Sequence, residues 1–261
     1  MNRSDITSAK RVVIKVGSST LTGNAGTALD NSAVAKLVEI VATLSKQNKE
    51  VIIVTSAAIA AGMAPLGLTS RPTDLATQQA AASVGQGLLI ACYTEELGKH
   101  GIVASQVLLT GDEVEDAVKR ENAQRTLFRL LELKVVPIIN ENDSVVFDEI
   151  RMGDNDRLAA LVARLIGANL LVLVSDVDSL YDAPPAQAGA KRIASVSSIA
   201  ELSSAKIGGV GTSGVGSGGM VTKIQAAEIA TSNGVAMLLT DLANLTGALN
   251  GEDLGTIFSA N

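Results

Sequence analysis

Carboxylates and amides crowd one stretch of this chain. Asn140-Glu141-Asn142-Asp143 follows the apolar run Pro137-Ile138-Ile139, and Gly153-Asp154-Asn155-Asp156-Arg157 comes shortly after it. The second cluster opens a segment in which Leu158, Leu161, Val162, Leu165 and Ile166 recur at the spacing of one buried helical face. Polar groups gathered where a strand stops and a helix begins are placed to meet a ligand, because the carboxyl ends of strands in an open α/β sheet line its crevice. Helix capping by Asp154 or Asn155 uses one such residue, and the stretch supplies many.

Four further segments carry candidate chemistry. Lys15-Val16-Gly17-Ser18-Ser19 ends an apolar run, and a lysine beside a Gly-Ser turn can hold a phosphate while backbone N–H groups approach past the missing Cβ. The GxxxxGK[ST] phosphate loop does not occur, and a surface lysine beside an ordinary turn is the competing reading. Thr55-Ser56-Ala57-Ala58 brings hydroxyls and small residues to a second strand end, where a tight strand-to-helix turn competes. Ser175-Asp176-Val177-Asp178 follows another apolar run and suits adenine or ribose contacts, or equally a turn. The glycine-rich stretch from Gly208 to Met220 runs into a helix containing Thr222 and Lys223. A loop feeding a helix N-terminus is a ready anion site, and a lysine in that first turn opposes the helix dipole, which points to a phosphate nearby rather than to a flexible linker.

These groups need a scaffold, and the pattern supplies one. Strands are predicted at Val12–Ile14, Val51–Val54, Val103–Leu108, Val135–Ile139, Leu170–Val174 and Ala236–Leu239, with helices between most of them, such as that carrying Val34, Leu37, Val38, Val41 and Leu44. Repeated β-then-α order predicts a mainly parallel sheet with helices on both faces, whose strands read as continuous apolar runs. Aromatic residues are 2% of the chain, so the core falls to Ala, Val, Leu and Ile. No low-complexity linker divides residues 1–261, which read as one domain. Residues 181–195, with Pro184-Pro185 and Gly189, are predicted to leave the sheet as a short hairpin.

Several function classes are disfavoured. A net charge of −6 with no basic run argues against nucleic-acid binding, though not against a local phosphate pocket. Cys92 is the only cysteine and reads as a small buried hydrophobe, and the single histidine, His100, reads as a surface turn residue. Ser-His and Cys-His catalysis are therefore disfavoured. The polar start lacks a secretory pattern and no apolar run approaches the roughly 20 residues that span a bilayer, so a cytoplasmic protein without membrane partners is expected.

Taken in order, Lys15-Val16-Gly17-Ser18-Ser19, Thr55-Ser56-Ala57-Ala58-Ile59, Asn140-Glu141-Asn142-Asp143, Gly153-Asp154-Asn155-Asp156, Ser175-Asp176-Val177-Asp178-Ser179-Leu180-Tyr181 and Gly218-Gly219-Met220-Val221-Thr222-Lys223 resemble the amino-acid kinase family. The likeness is strongest to members acting on glutamate. It implies a three-layer αβα sandwich and ATP-dependent phosphorylation of the glutamate side-chain carboxylate to γ-glutamyl phosphate, at the start of proline synthesis. By the same resemblance Lys15 and Lys223 neutralise the transferring phosphoryl group from opposite sides, Asp156 orients both lysines, and Asp154 helps organise the site. Ser56, Asp143 and Asn155 hold glutamate, with Asp143 facing its ammonium. Lys15, Ser175, Asp176 and the run Ser217, Gly218, Gly219, Met220, Val221, Thr222 and Lys223 hold ATP, whose phosphates Mg²⁺ bridges without side-chain metal ligands.

A homo-oligomer with proline as feedback inhibitor is the corresponding expectation. Many relatives carry a C-terminal PUA domain, for which no sequence remains after Asn261. Ala57, Gly87 and Ser179 depart from the family pattern, which has Gly, Ser and Gly there. A relative acting on another acidic substrate, or a non-catalytic sensor of glutamate, proline or nucleotide, is the alternative. A dinucleotide-binding oxidoreductase is disfavoured because GxGxxG does not follow the first strand.

Overall fold

The computed structural model describes residues 3–23, 26–144, 155–185, 187–202 and 219–260. In chain order the elements are α1 (Arg3–Ile6), β1 (Arg11–Val16), α2 (Ser18–Leu21), α3 (Asn31–Lys46), β2 (Glu50–Val54), α4 (Ala58–Met63), α5 (Leu75–Gly98), β3 (Ala104–Leu109), α6 (Gly111–Glu115) and α7 (Ala117–Glu132). Then come β4 (Val136–Glu141), α8 (Asn155–Leu165), β5 (Leu170–Ser175), β6 (Leu180–Tyr181), β7 (Arg192–Ile193), β8 (Ser195–Val196), α9 (Met220–Thr231), β9 (Ala236–Asp241), α10 (Leu245–Leu249) and β10 (Thr256–Phe258).

The strands form one eight-stranded sheet in the order β3-β4-β2-β1-β5-β9-β10-β8. Every neighbouring pair is parallel except β9 and β10. Alternation along the strands divides the core between two faces. Val12, Ile14 and Val16 of β1 pack with α3, α4, α5 and α10, whereas Val13 packs with α7, α8 and α9. Lys15 shares the Val13 parity, so β1 directs it to the face covered by α8 and α9. All five helical positions expected to be buried on α3 are buried, as are those from Leu158 to Ile166 around α8. This is the mainly parallel three-layer αβα arrangement expected from the sequence, and β6 and β7 pair as the expected short hairpin. Among the described residues no helix is long and apolar enough to cross a membrane.

Three details differ from expectation. β3 and β4 each begin one residue late, and Val103 stays 64% exposed just before β3. The edge strand β8 and its neighbour β10, two and three residues long, are too short to leave an apolar run in the sequence. Cys92 is half-buried rather than buried, with its thiol 3.7 Å from Asn31 Oδ1, and burial, then Glu96 and Glu95, push the thiol pKa up. His100 is exposed, as expected.

The tightest approach in the fold lies where α4 crosses α5. A Cβ on Gly85 would fall 1.8 Å from the Ala58 carbonyl oxygen and 2.4 Å from the Gly62 nitrogen, and one on Gly62 would fall 1.9 Å from the Ala81 carbonyl oxygen. Both obstacles are backbone, so no side-chain movement relieves them. Gly85→Ala is expected to cost about 3 kcal/mol of stability, the upper scale for overpacking a core. Denaturant unfolding checks this, and a loss well under 1 kcal/mol would show that the helices separate freely. Because α4 starts beside Ser56, the crossing also fixes one wall of the site described next.

Candidate active site

β1, β2, β4 and β5 are neighbours in the sheet and end side by side, and each end delivers polar groups. Lys15 lies near the end of β1, Thr55 and Ser56 follow β2, Asn140 is the penultimate residue of β4, and Ser175 ends β5. The helices α8 and α9 begin at the same edge with Asn155-Asp156 and Met220 to Lys223.

Asp156 joins the two lysines. Its Oδ1 is 2.6 Å from Lys15 Nζ and its Oδ2 is 3.2 Å from Lys223 Nζ, while the Thr222 hydroxyl donates to Oδ2 at 3.0 Å. Asp156 is 1% exposed, Lys15 3% and Lys223 6%. Charges this deeply buried persist only when paired and hydrogen-bonded. The first turn of α8 adds to the pairing, since the positive end of its dipole favours a carboxylate at Asp156. The lysine in the first turn of α9, unfavourable beside that helix's own dipole, is answered by the same carboxylate.

Asn155 joins the ends of two strands. Its Nδ2 donates to the Thr55 carbonyl at 2.5 Å, to Asn140 Oδ1 at 2.9 Å and to the Ser56 hydroxyl at 3.1 Å, so two N–H bonds are shared among three acceptors. Asn140 Oδ1 also accepts the Glu141 backbone N–H at 2.9 Å. Asp143 lies two residues beyond β4, half-buried in the turn containing Asn142 and Ser144. On β5, the buried Ser175 hydroxyl donates to Oδ1 of the exposed Asp176 at 2.9 Å.

Helix starts differ in a way that matters here. α3, α5 and α7 begin on Asp30, Asp74 and Asp116, whose carboxylates accept first-turn N–H bonds. α9 begins on Gly219 without a side-chain cap, which suits an external anion. Of its first turn, Val221 is 62% exposed and Met220 half-buried. Asp154, Ser217, Gly218 and most of the glycine-rich stretch lie outside the described residues.

Ala57 precedes α4 with φ 81 and ψ 9, in the left-handed region, and is buried. A Cβ there costs on the order of 1 kcal/mol. The backbone therefore keeps a glycine-like course and the alanine bears the strain. Ala57→Gly is expected to change stability by less than about 1 kcal/mol, because relieved strain and added unfolded-state entropy oppose each other. If the family resemblance places Ser56 against an amino-acid substrate, Ala57→Gly is also expected to lower that substrate's KM or raise turnover, and steady-state kinetics beside thermal unfolding check both; a slower Gly variant would contradict that placement. A Cβ on Gly87 would meet nothing within 4 Å, so the second departure lies in open space. Ser179 is buried with no hydrogen-bond partner for its hydroxyl among the described residues, a cost glycine would not carry.

The structure thus brings Lys15, Asp156, Thr222 and Lys223 into one cluster and Ser56 and Asn155 into another, anchored at adjacent positions of α8. Sequence reasoning did not single out the side chains of Asn140, Gln86 and Tyr93. The Asn140 amide donates to Gln86 Oε1 at 2.8 Å, and the Tyr93 hydroxyl lies 3.0 Å from the Thr55 hydroxyl. Asn140 lies in the Asn140-Glu141-Asn142-Asp143 motif, whereas no local pattern marks the side chains of Gln86 and Tyr93.

The amino acid kinase family matches residues 10–241. Glutamate 5-kinase of Thermobifida fusca (strain YX) is 53% identical over 256 residues, covering 98% of this chain and 66% of that protein. This chain therefore spans about two thirds of that relative's length. Glutamate 5-kinase of Clavibacter michiganensis subsp. michiganensis is 53% identical over 259 residues, covering 99% of this chain and 97% of that protein. Among solved structures, carbamate kinase from Giardia lamblia bound to AMP-PNP superposes with a TM-score of 0.68 at 15% identity, covering 98% of this chain and 100% of that one. UMP kinase from Bacillus anthracis gives 0.65 at 12% identity, covering 97% of each chain. With its strand order, its site at the strand ends and these matches in agreement, the chain belongs to the amino acid kinase family.

Proposed function

We propose that this chain transfers the γ-phosphoryl group of ATP to the side-chain carboxylate of L-glutamate, giving γ-glutamyl phosphate and ADP, the first step of proline synthesis. The observation that carries this reading is the buried pair Lys15 and Lys223 on the two oxygens of Asp156. A carboxylate nucleophile is already deprotonated, so the reaction needs positioned positive charge rather than a base. One carboxylate oxygen bonds to the γ-phosphorus, the bond from phosphorus to the β,γ-bridging oxygen breaks, and that oxygen leaves with ADP. Lys15 and Lys223 offset the charge spread over the transferring group, and Asp156 holds them at the strand edge. Asp154, by family resemblance, completes this organisation.

Ser175, Asp176, Lys15, Lys223 and the run from Ser217 through Gly218, Gly219, Met220, Val221 and Thr222 hold the nucleotide, the uncapped start of α9 supporting the phosphate part of this placement. Mg²⁺ neutralises phosphate charge when bound. Both Asp156 oxygens face lysines, so that carboxylate serves the cations rather than a metal ion.

Ser56, Asn155 and Asp143 hold glutamate, with Asp143 facing the ammonium. A half-buried carboxylate gains from a cationic partner. Asp143→Asn is therefore expected to weaken glutamate binding by roughly tenfold or more while ATP binding stays within about twofold, the scale of one charge-assisted bond. Calorimetry with each ligand checks this, and N-acetylglutamate, which lacks the cation, is expected to bind poorly to the unaltered protein. Equal losses for both ligands would reject the assignment. Proline shares the ammonium and α-carboxylate of glutamate and is the proposed competing inhibitor. A cytoplasmic homo-oligomer acting as one kinase domain completes the proposal; Val84 and Leu88, 40% and 45% exposed on α5, support an apolar contact between copies.

A further inference from the structure

Helix α5 reaches the candidate site through two side chains seven residues apart. Gln86 meets Asn140 at the end of β4, and Tyr93 meets Thr55 at the end of β2. Seven residues are two helical turns, so both lie on the face that α5 turns to the sheet.

Backbone partners fix the direction of the amide bonds in this network. The Thr55 carbonyl can only accept, so the Asn155 atom facing it is its amide nitrogen. The Glu141 N–H can only donate, so the Asn140 atom facing it is its oxygen, and the Asn140 nitrogen faces Gln86. Gln86 must therefore present Oε1, which leaves its Nε2 buried without a partner among the described residues. A buried orphan donor is costly, and this one is the consequence of orienting Asn140. On the other arm, the Thr55 hydroxyl lies 3.2 Å from the Ser56 carbonyl and 3.0 Å from the Tyr93 hydroxyl, and with its proton on the carbonyl it accepts from Tyr93. Tyr93 is fully buried, and burial holds its hydroxyl pKa far above the ordinary range, with the Thr55 bond acting in the opposite direction. The phenol therefore stays neutral and keeps its bond to Thr55.

We infer that Gln86 and Tyr93 are positioning residues for amino-acid substrate recognition, Gln86 by orienting Asn140 and Tyr93 by fixing the Thr55-Ser56 backbone, so that the two arms set the Asn155 amide from two neighbouring strand ends. The inference rests on the proposed placement of glutamate against Ser56 and Asn155. Neither residue touches the lysine pair, so their effect falls on substrate affinity rather than on the transfer step.

Three variants test this: Tyr93→Phe, which deletes one hydroxyl; Gln86→Met, which deletes the acceptor at similar length; and Gln86→Glu, which keeps an acceptor for Asn140. Tyr93→Phe and Gln86→Met are each expected to raise the glutamate KM roughly tenfold, with the ATP KM and turnover within about twofold. Gln86→Glu is expected to recover most of that loss. In the ligand-free protein, amide exchange at Glu141 should quicken in Gln86→Met and stay close to the unaltered rate in Gln86→Glu. Equal rises in both KM values, or a Glu variant no better than Met, would overturn the inference. If the unaltered protein forms no acyl phosphate from glutamate, the substrate reading fails by itself, and unchanged Glu141 exchange in Gln86→Met would then overturn the positioning role.

Discussion

Lys223→Ala is expected to lower turnover by roughly 10²- to 10³-fold with the fold retained, the scale for removing one preorganised group that stabilises transition-state charge. The expectation follows from its place: Lys223 is 6% exposed, on the first turn of α9, 3.2 Å from Asp156 Oδ2. A cation held there offsets charge on the transferring group without reorganising. Deleting it should leave glutamate binding, proposed to fall on Ser56, Asp143 and Asn155, nearly unchanged. Steady-state kinetics with both substrates check this, alongside circular dichroism for the fold. A folded variant with near-normal turnover would remove Lys223 from the chemistry, and one in which only the ATP KM rises would make it a binding group.

Asp156→Asn is expected to be the most damaging single change, to stability as well as to rate. The substitution keeps the shape and removes the carboxylate shared by two buried ammonium groups. Breaking a buried pair by deleting one partner costs about 3–5 kcal/mol, because the remaining charge keeps its desolvation penalty. For a chain of this size a 3 kcal/mol loss lowers Tm by roughly 6–12 °C. Turnover should fall by at least roughly 10²-fold as both lysines lose their common anchor. The combined change Lys15→Met, Asp156→Leu and Lys223→Met separates the two effects, since replacing a buried ionic cluster with apolar groups is often neutral or stabilising. It is expected to recover most of the lost stability while remaining inactive. An Asp156→Asn protein as stable and as fast as the original would contradict the account of the cluster.

Much of this arrangement was legible in the sequence, for a definite reason. Strands buried on both faces read as uninterrupted apolar runs, so β1, β2, β4, β5 and β9 were visible, and with them the ends at which ligand groups gather. Lys15 stood out as a charge inside such a run, and Asp156 and Lys223 as charges in the first turns of apolar helices. What the sequence hid was pairwise. The bond from Asn155 to Thr55 spans a hundred positions, and the Asp156 bridge joins residues from three elements. Gln86 and Tyr93 were hidden because α5 is rich in alanine and glycine on both faces, and such a helix carries no periodic signal for which side meets the sheet. The glycine contact between α4 and α5 likewise depends on a partner that local pattern does not name. The positive φ at Ala57 came into view only through the family pattern, since alanine itself carries no preference for it.

The central claim is phosphoryl transfer to the side-chain carboxylate of glutamate, and trapping the acyl phosphate with hydroxylamine tests it most directly. The unaltered protein, given ATP, Mg²⁺ and each of glutamate, aspartate and N-acetylglutamate in turn, is expected to release ADP and hydroxamate in equal amounts with glutamate, and little of either with the others. Ligand binding without hydroxamate from glutamate, or hydroxamate formed at a comparable rate from aspartate or N-acetylglutamate, would contradict the account.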